Sequence, residues 1–346
     1  MLTRRKLLPL LAAAPLRVID EYDPGNLKIS HRMPIRGMTD SDLAFLQQIG
    51  IRWARVEFGE AATFDEMKAA QERVGKFGMK IYSAVHYAYR KTRVQLGQAG
   101  RDEDIATFQR FLTDCGRLRI PVANIDWHPA NTYTTAEVMT ERGYKARQFK
   151  LSDFRSKIEK QAFDRVYTAE DIWATYTYFI RAVLPVAEKA DVKLALHPDD
   201  PPVAMMNGVA KLFVHYDGYR RAEQIAGGSR HWGLTFCVGT WSEGGTSMGK
   251  DVLGMIQDFG GRGKIFDVHF RNVSRPMPEF IETFPDDGYL DMYEVMKALR
   301  RVKFAGAAQP DHIPQLQGDD KFRRAGVAYA VANMRMMLRL ANKDAG

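Results

Sequence analysis

Cysteine is nearly absent: Cys115 and Cys237 are the only two in 346 residues. Two thiols do not make a disulfide framework for a chain this long, so the fold has to rest on a buried core. No apolar run approaches the ~20 residues needed to span a bilayer, which argues against stable membrane insertion. No Gly-x-Gly-x-x-Gly follows a strand-like segment, which argues against a dinucleotide site. A basic stripe interleaved with aromatics is also missing. The formal charge is +8, but Arg4, Arg5, Lys6 and Arg17 stand against Asp20 in the first twenty residues, so the rest carries only a modest excess. That balance suits a protein binding small anions better than one binding nucleic acid. No linker composition or internal repeat marks a second domain, and the composition is compatible with a homo-oligomer.

What is present reads as a soluble enzyme: 45% of the residues are hydrophobic and 27% charged. At the start of the chain, Arg4-Arg5 precedes a short apolar stretch, Leu7 to Ala14. The pattern resembles a twin-arginine export signal over residues 1–20, which implies a periplasmic enzyme. The alternative is a basic, frayed end on a cytoplasmic protein.

Strand-like and helix-like segments then alternate strictly. Short, unbroken apolar runs at 27–30, 53–58, 80–86, 122–127, 193–197, 233–237, 266–270 and 307–310 suit a parallel sheet buried on both faces. Helical patterns follow near 39–49, 62–77, 102–118, 169–190, 207–226, 249–260, 291–302 and 321–341. Thr39 and Thr63, each with an acid three residues on, read as helix starts, and Gly50, Gly78 and Gly306 as stops. Eight of each element predict an α/β fold, a single-domain (β/α)8 TIM barrel over residues 21–346. Residues 128–168 are too long for a plain connection. They hold eight basic residues, from Arg142 to Arg165, against five acids. Following a strand, this insertion either caps a negatively charged substrate or is a solvated excursion.

The strand ends carry the chemistry. His197 closes the fifth, Cys237 the sixth and His269 the seventh, and Asp311 and His312 follow the eighth. In a parallel barrel these ends converge on one mouth. Singly, a histidine there is more often structural than ligating, and a buried cysteine is usually a small hydrophobe. Together, imidazole, thiolate and carboxylate donors predict a divalent transition-metal site at His197, Cys237, His269 and Asp311. Zinc is also compatible with these donor types. His312, beside them, is the first candidate for acid–base catalysis, or else a fifth ligand or a supporting partner. Arg271 and Asn272 would aim donors at a substrate carboxylate or hydroxyl, or else build the barrel rim. Asp199 and Asp200 could orient His197 or simply form a stiff turn. His86 and Trp127 are further candidates to line the substrate mouth, as are Glu57, Glu60 and His128.

At these residues the sequence resembles the mannonate dehydratase family of xylose-isomerase-like barrels. The resemblance rests on His-Pro-Asp-Asp-Pro-Pro at 197–202, Gly-Leu-Thr-Phe-Cys-Val-Gly at 233–239, His-Phe-Arg-Asn-Val at 269–273 and Pro-Asp-His at 310–312. It runs from about 175 to 314 and is thin before residue 170. It implies a hydro-lyase that converts D-mannonate to 2-keto-3-deoxy-D-gluconate with Mn2+ or Fe2+, and it gives His312 an acid–base role. The stretch after His312 departs from the family, which usually carries a Pro-Gly-Tyr-type motif there; Gln315 to Arg324 holds no tyrosine. Ala123 to Trp127 likewise replaces a cysteine-containing stretch near the fourth strand. Two other readings stay open: a metal-dependent sugar isomerase or epimerase, and a sugar-acid- or metal-binding barrel with little turnover.

Overall fold

Eight strands, Lys28–Met33, Trp53–Phe58, Lys80–His86, Val122–Ile125, Lys193–Leu196, Trp232–Cys237, Ile265–Phe270 and Ala307–Pro310, close into one barrel in the computed structural model. The structure describes residues 19–129 and 133–344; the Arg4-Arg5 export motif lies outside the described residues. Each strand pairs in parallel with its chain neighbours, and the eighth closes on the first through Lys28 and Ala307. The expected TIM barrel is therefore the observed one, with strand positions within a few residues of those read from the sequence. Among the described residues no helix is long and apolar enough to cross a membrane.

Local signals explain the boundaries. Thr39 and Thr63 each accept from the backbone N–H three residues on, and Asp42 and Glu66 return the bond. These are the capping boxes that start the helices Asp40–Gln48 and Phe64–Gly75. Gly50 and Gly78 stop them with φ of +79° and +71°. Gly306 acts differently: the left-handed residue of that turn is Lys303, and a side chain at 306 would lie 2.5 Å from the Phe266 carbonyl.

Two expected helices are altered. The helix expected over 207–226 begins only at Tyr216, because Met205–Met206 and Val209–Ala210 form a small hairpin around Asn207-Gly208. Both turn residues have positive φ, as a two-residue hairpin requires. After the sixth strand a short helix Val238–Gly244 comes first, and Val252–Met255 then widens into a π turn at Ile256–Gly260.

The long insertion is ordered where it is described. Ala136–Met139 and Lys145–Lys150 form a hairpin, and Lys145–Lys150 pairs with Glu279–Thr283, a strand from the loop after the seventh barrel strand. Asn272–Val273 completes a four-stranded antiparallel sheet. Phe149, Phe154, Val203, Met206, Val273 and Phe280 form a separate apolar core beneath it. Four of the insertion's eight basic side chains form ion pairs within the protein: Lys145 with Glu137, Lys150 with Glu279, Arg142 with Asp286 and Arg165 with Asp171.

Strand alternation sorts the barrel side chains into two sets. Ala54, Val56, Phe58 and Trp127 belong to the apolar core between sheet and helices. Arg55, Ser83, Asn124, Thr235 and Asp267 point inward. Asn124 Nδ2 donates to Thr235 Oγ1 (2.8 Å) and Asp267 Oδ2 (2.9 Å), and Ser83 Oγ donates to Asp267 Oδ2 at 2.9 Å. The barrel is thus floored by a hydrogen-bonded polar layer where branched aliphatic residues are usual.

Candidate active site

Above that floor lies a cavity of about 160 Å3 whose lining includes His197, His269, Asp311 and His312. His197, His269 and Asp311 stand at the carboxyl ends of their strands with inward parity, His312 follows Asp311 with a φ of +44°, and Cys237 ends the sixth strand beside them. His197, Cys237 and His269 offer donor atoms that all lie within 4.8 Å of one another. Asp311 Oδ2 is 3.7 Å from His269 Nδ1. The structure thus brings the four expected ligands to one point.

Their local chemistry fits a bound cation. His197 Nδ1 sits 2.7 Å from the Pro198 carbonyl, so its proton belongs there and the Nε2 lone pair points toward His269 Nδ1, 3.1 Å away. Cys237 Sγ is ringed by donors: Thr240 N–H at 3.4 Å, Thr240 Oγ1 at 3.2 Å and Arg271 Nη2 at 3.6 Å. That ring suits a thiolate. With protein alone around it, burial pushes the Cys237 thiol up to about 11 although Arg271 pulls it down. Burial lowers the His197 and His269 imidazoles, so both favour the neutral, ligating form. Burial would raise the Asp311 carboxyl, but His312, His269 and Arg271 hold it well below its usual range. Mixed N, S and O donors with these charges suit a first-row divalent transition metal.

Arg271 lies behind the ligands and does not face the cavity. Its side chain has no exposure; Nη2 donates to Asp200 Oδ2 at 2.9 Å and Nη1 to Glu282 Oε1 at 3.0 Å, with Glu243 also on Nη1. Its Nε lies 3.4 Å from Asp311 Oδ2. The guanidinium passes over Gly239, where a Cβ would stand 2.5 Å from Nε. Burial amid Asp200 and Glu282 raises the Glu243 carboxyl well above its usual range. One arginine thus joins three acids and two metal-ligand candidates, and its expected reach to substrate is corrected.

Four other expected substrate contacts are corrected by position. Asn272 is buried in the four-stranded sheet, its amide donating to the Pro285 and Leu290 carbonyls at 3.1 and 3.0 Å. His86 points outward, its ring 4.9 Å from that of Phe111. Trp127 also points outward, 5.0 Å from Phe179. Glu60 stays in a loop, paired with Lys91 at 3.3 Å.

His312 does line the cavity, with Nδ1 2.9 Å from Glu282 Oε1. From the first strand, which neighbours the eighth, round to the fourth runs a wall the sequence reading largely missed. Arg32 donates to both oxygens of Glu57 (2.7 and 3.0 Å), Arg55 Nη1 donates to Glu57 Oε1 (3.0 Å), and Arg90 clasps Asp126, which also accepts from Tyr89 Oη at 2.8 Å. Arg55 is buried, and its Nε has no hydrogen-bond partner among the described residues. The available signal was an arginine between Ala54 and Val56, two residues before Glu57 and so on the same face of the strand Trp53–Phe58. On the same side, His128 Nδ1 lies 2.9 Å from Asp199 Oδ1. Asp199 in turn meets Lys211 Nζ at 3.0 Å and the Phe213 N–H at 2.9 Å. A groove lined by Tyr133, Thr134, Glu137 and Arg147 continues from Asp200 and His312 onto the insertion.

Comparison with known proteins places this geometry. The chain is 28% identical over 290 residues to mannonate dehydratase of Streptococcus pneumoniae (strain 70585), covering 76% of this chain and 78% of that protein. It is 26% identical over 252 residues to mannonate dehydratase 2 of Halalkalibacterium halodurans, covering 65% and 72%. The crystal structure of mannonate dehydratase from Streptococcus suis serotype 2 superposes with a TM-score of 0.82 at 25% identity, over 93% of this chain and 96% of that one. A structure of L-ribulose 3-epimerase shares the fold at 14% identity and a TM-score of 0.62, over 92% and 97% of the two chains. The family model described as D-mannonate dehydratase (UxuA) matches residues 144–339, a span that contains His197, Cys237, His269, Asp311 and His312. The chain therefore belongs to the D-mannonate dehydratase (UxuA) family and is a hydro-lyase.

Proposed function

We propose that the enzyme dehydrates D-mannonate, or a closely related sugar acid, to 2-keto-3-deoxy-D-gluconate and water. It does so with Mn2+ or Fe2+ held by His197, Cys237, His269 and Asp311. The observation that carries this reading is the convergence of those four side chains beside His312, inside the segment matched by the family. When bound, the ion supplies Lewis acidity that stabilises negative charge on the substrate carboxylate as the neighbouring proton is lost.

The rest is work for the chain's own groups. His312, fixed by Glu282 at Nδ1, presents its other nitrogen to the cavity for proton transfer. Arg55, with donors not taken by the protein, holds an anionic or hydroxyl group of the substrate at the floor. Arg32–Glu57 and Arg90–Asp126 form a polar wall for sugar hydroxyls.

The test is incubation of protein loaded with Mn2+, Fe2+ or Co2+ with D-mannonate, followed by detection of a 2-keto-3-deoxy acid. No product with any of the three ions overturns the reading. An epimer or ketose product instead would establish an isomerase or epimerase, the reaction that shares these metal and proton-transfer groups.

A further inference from the structure

Loss of water across a C2–C3 bond needs two proton movements at two places. One group removes the proton from C2, and another supplies a proton to the departing C3 hydroxyl. The site described so far has one group for this, His312. We propose that His128 is the second proton-transfer group, acting from the opposite end of the cavity. The inference rests on the dehydratase reading above.

The placement carries the argument. His128 follows the fourth barrel strand and His312 the eighth, while His197, Cys237 and His269 end the fifth, sixth and seventh. The two imidazoles therefore flank the row of metal-ligand candidates at its two ends. Both line the same cavity. The His128 ring stands edge-on to His197 with centroids 5.8 Å apart, which puts it beside the proposed ion.

Both rings are also mounted in the same way. His312 Nδ1 faces buried Glu282 Oε1 and His128 Nδ1 faces buried Asp199 Oδ1, each at 2.9 Å. A carboxylate on Nδ1 fixes the ring orientation and tautomer and leaves Nε2 for exchange with a bound molecule. Asp199 is itself held by Lys211 Nζ and the Phe213 N–H, so the His128 mount is rigid.

The other titratable groups of the cavity wall are engaged elsewhere. Asp200 is held by Arg271, Glu57 by Arg32 and Arg55, and Asp126 by Arg90 and Tyr89. Tyr87 bonds to Glu57.

The step balances without a further reactant. One imidazole takes the C2 proton, and the C–H electron pair becomes the C1–C2 π bond of an enediolate. That pair then forms the C2–C3 double bond as the C3–O bond breaks, and the other imidazole protonates the leaving hydroxyl to water. The resulting enol gains a proton at C3 and gives up the one on its C2 hydroxyl to become the 2-keto acid, which returns both imidazoles to their starting protonation.

The experiment uses metal-loaded full-length wild type, His128→Ala and His128→Gln with D-mannonate in D2O, with metal content measured for each. The expected result is a fall in kcat of roughly 100-fold or more at unchanged metal stoichiometry. Added imidazole should restore a measurable part of it in His128→Ala. Gln fills the site and cannot carry a proton, so it tests the idea even if Ala misfolds. Deuterium entering C2 of recovered substrate in the variants assigns His128 to the hydroxyl-protonating side; loss of that exchange assigns it to C2. Variant turnover within about twofold of wild type, or a loss that imidazole does not rescue in folded, metalled His128→Ala, overturns the inference. Absence of product from wild type overturns the dehydratase reading and takes this inference with it. An active wild type with active variants overturns the inference alone.

Discussion

The Glu282 oxygen that lies 2.9 Å from His312 Nδ1 also accepts from Arg271 Nη1 at 3.0 Å. The catalytic candidate and the buried arginine therefore share one acceptor, and Arg271 reaches Asp200 and Cys237 with its other arm. Glu282→Gln keeps an acceptor for His312 and removes its charge. The expected outcome is a kcat reduced about tenfold at unchanged metal content. Arg271→Met, which strands buried acids without their cation, should lower unfolding free energy by about 3–5 kcal/mol. Urea denaturation of both variants checks the contrast.

Cys237 is the one sulfur donor of the cluster. Cys237→Ala should abolish stoichiometric binding of Mn2+ or Fe2+ and leave the fold intact, since a thiol-to-methyl change removes little volume. Metal analysis after dialysis, with far-UV circular dichroism alongside, reads both. A variant that still holds one equivalent tightly shows that Cys237 is not a ligand.

Arg55 leaves a buried Nε without a protein partner at the cavity floor. Arg55→Met should raise KM for the sugar acid by roughly 10-fold or more, the scale of one lost hydrogen bond to a charged group. Steady-state kinetics distinguish this from a loss confined to kcat, which would place Arg55 outside substrate binding.

Two buried histidines remote from the metal ligands set an acid limit. Burial, with Arg32 adding, lowers His31 to about 4, and burial, with Lys91 and Arg110, lowers His86 to about 4. Unfolding restores a value near 6.5, so between pH 6.5 and 4 the unfolded chain binds protons the folded one does not. The stability is present above about pH 6.5 and is lost as the pH falls toward 4, by up to about 3 kcal/mol per histidine. His31→Gln should flatten the stability-against-pH curve in that window. Denaturation midpoints that follow wild type at every pH would refute it.

The barrel was legible because each strand is a short apolar run between capped helices, and Thr39 and Thr63 marked two of the starts. The metal-ligand candidates were legible because they occupy successive strand ends. Arg271 and Asn272 were misplaced for a reason no local pattern carries. The chain beyond His269 turns into a second sheet, whose partner strand lies in an insertion more than a hundred residues earlier. His86 and Trp127 were assigned to the mouth from position alone, whereas alternation turns both to the helix layer. The arginine wall was missed because Arg32, Arg55 and Arg90 belong to no motif. They also precede residue 144, where the family match begins.

The four-stranded sheet joins residues 136–150 to residues 272–283, and Glu282 sits within it. The orientation of His312 therefore depends on a part of the chain that contributes no strand to the barrel. The ligand candidates stand on barrel strands and the mount of His312 on the second sheet, so the two halves of the site rest on different parts of the chain.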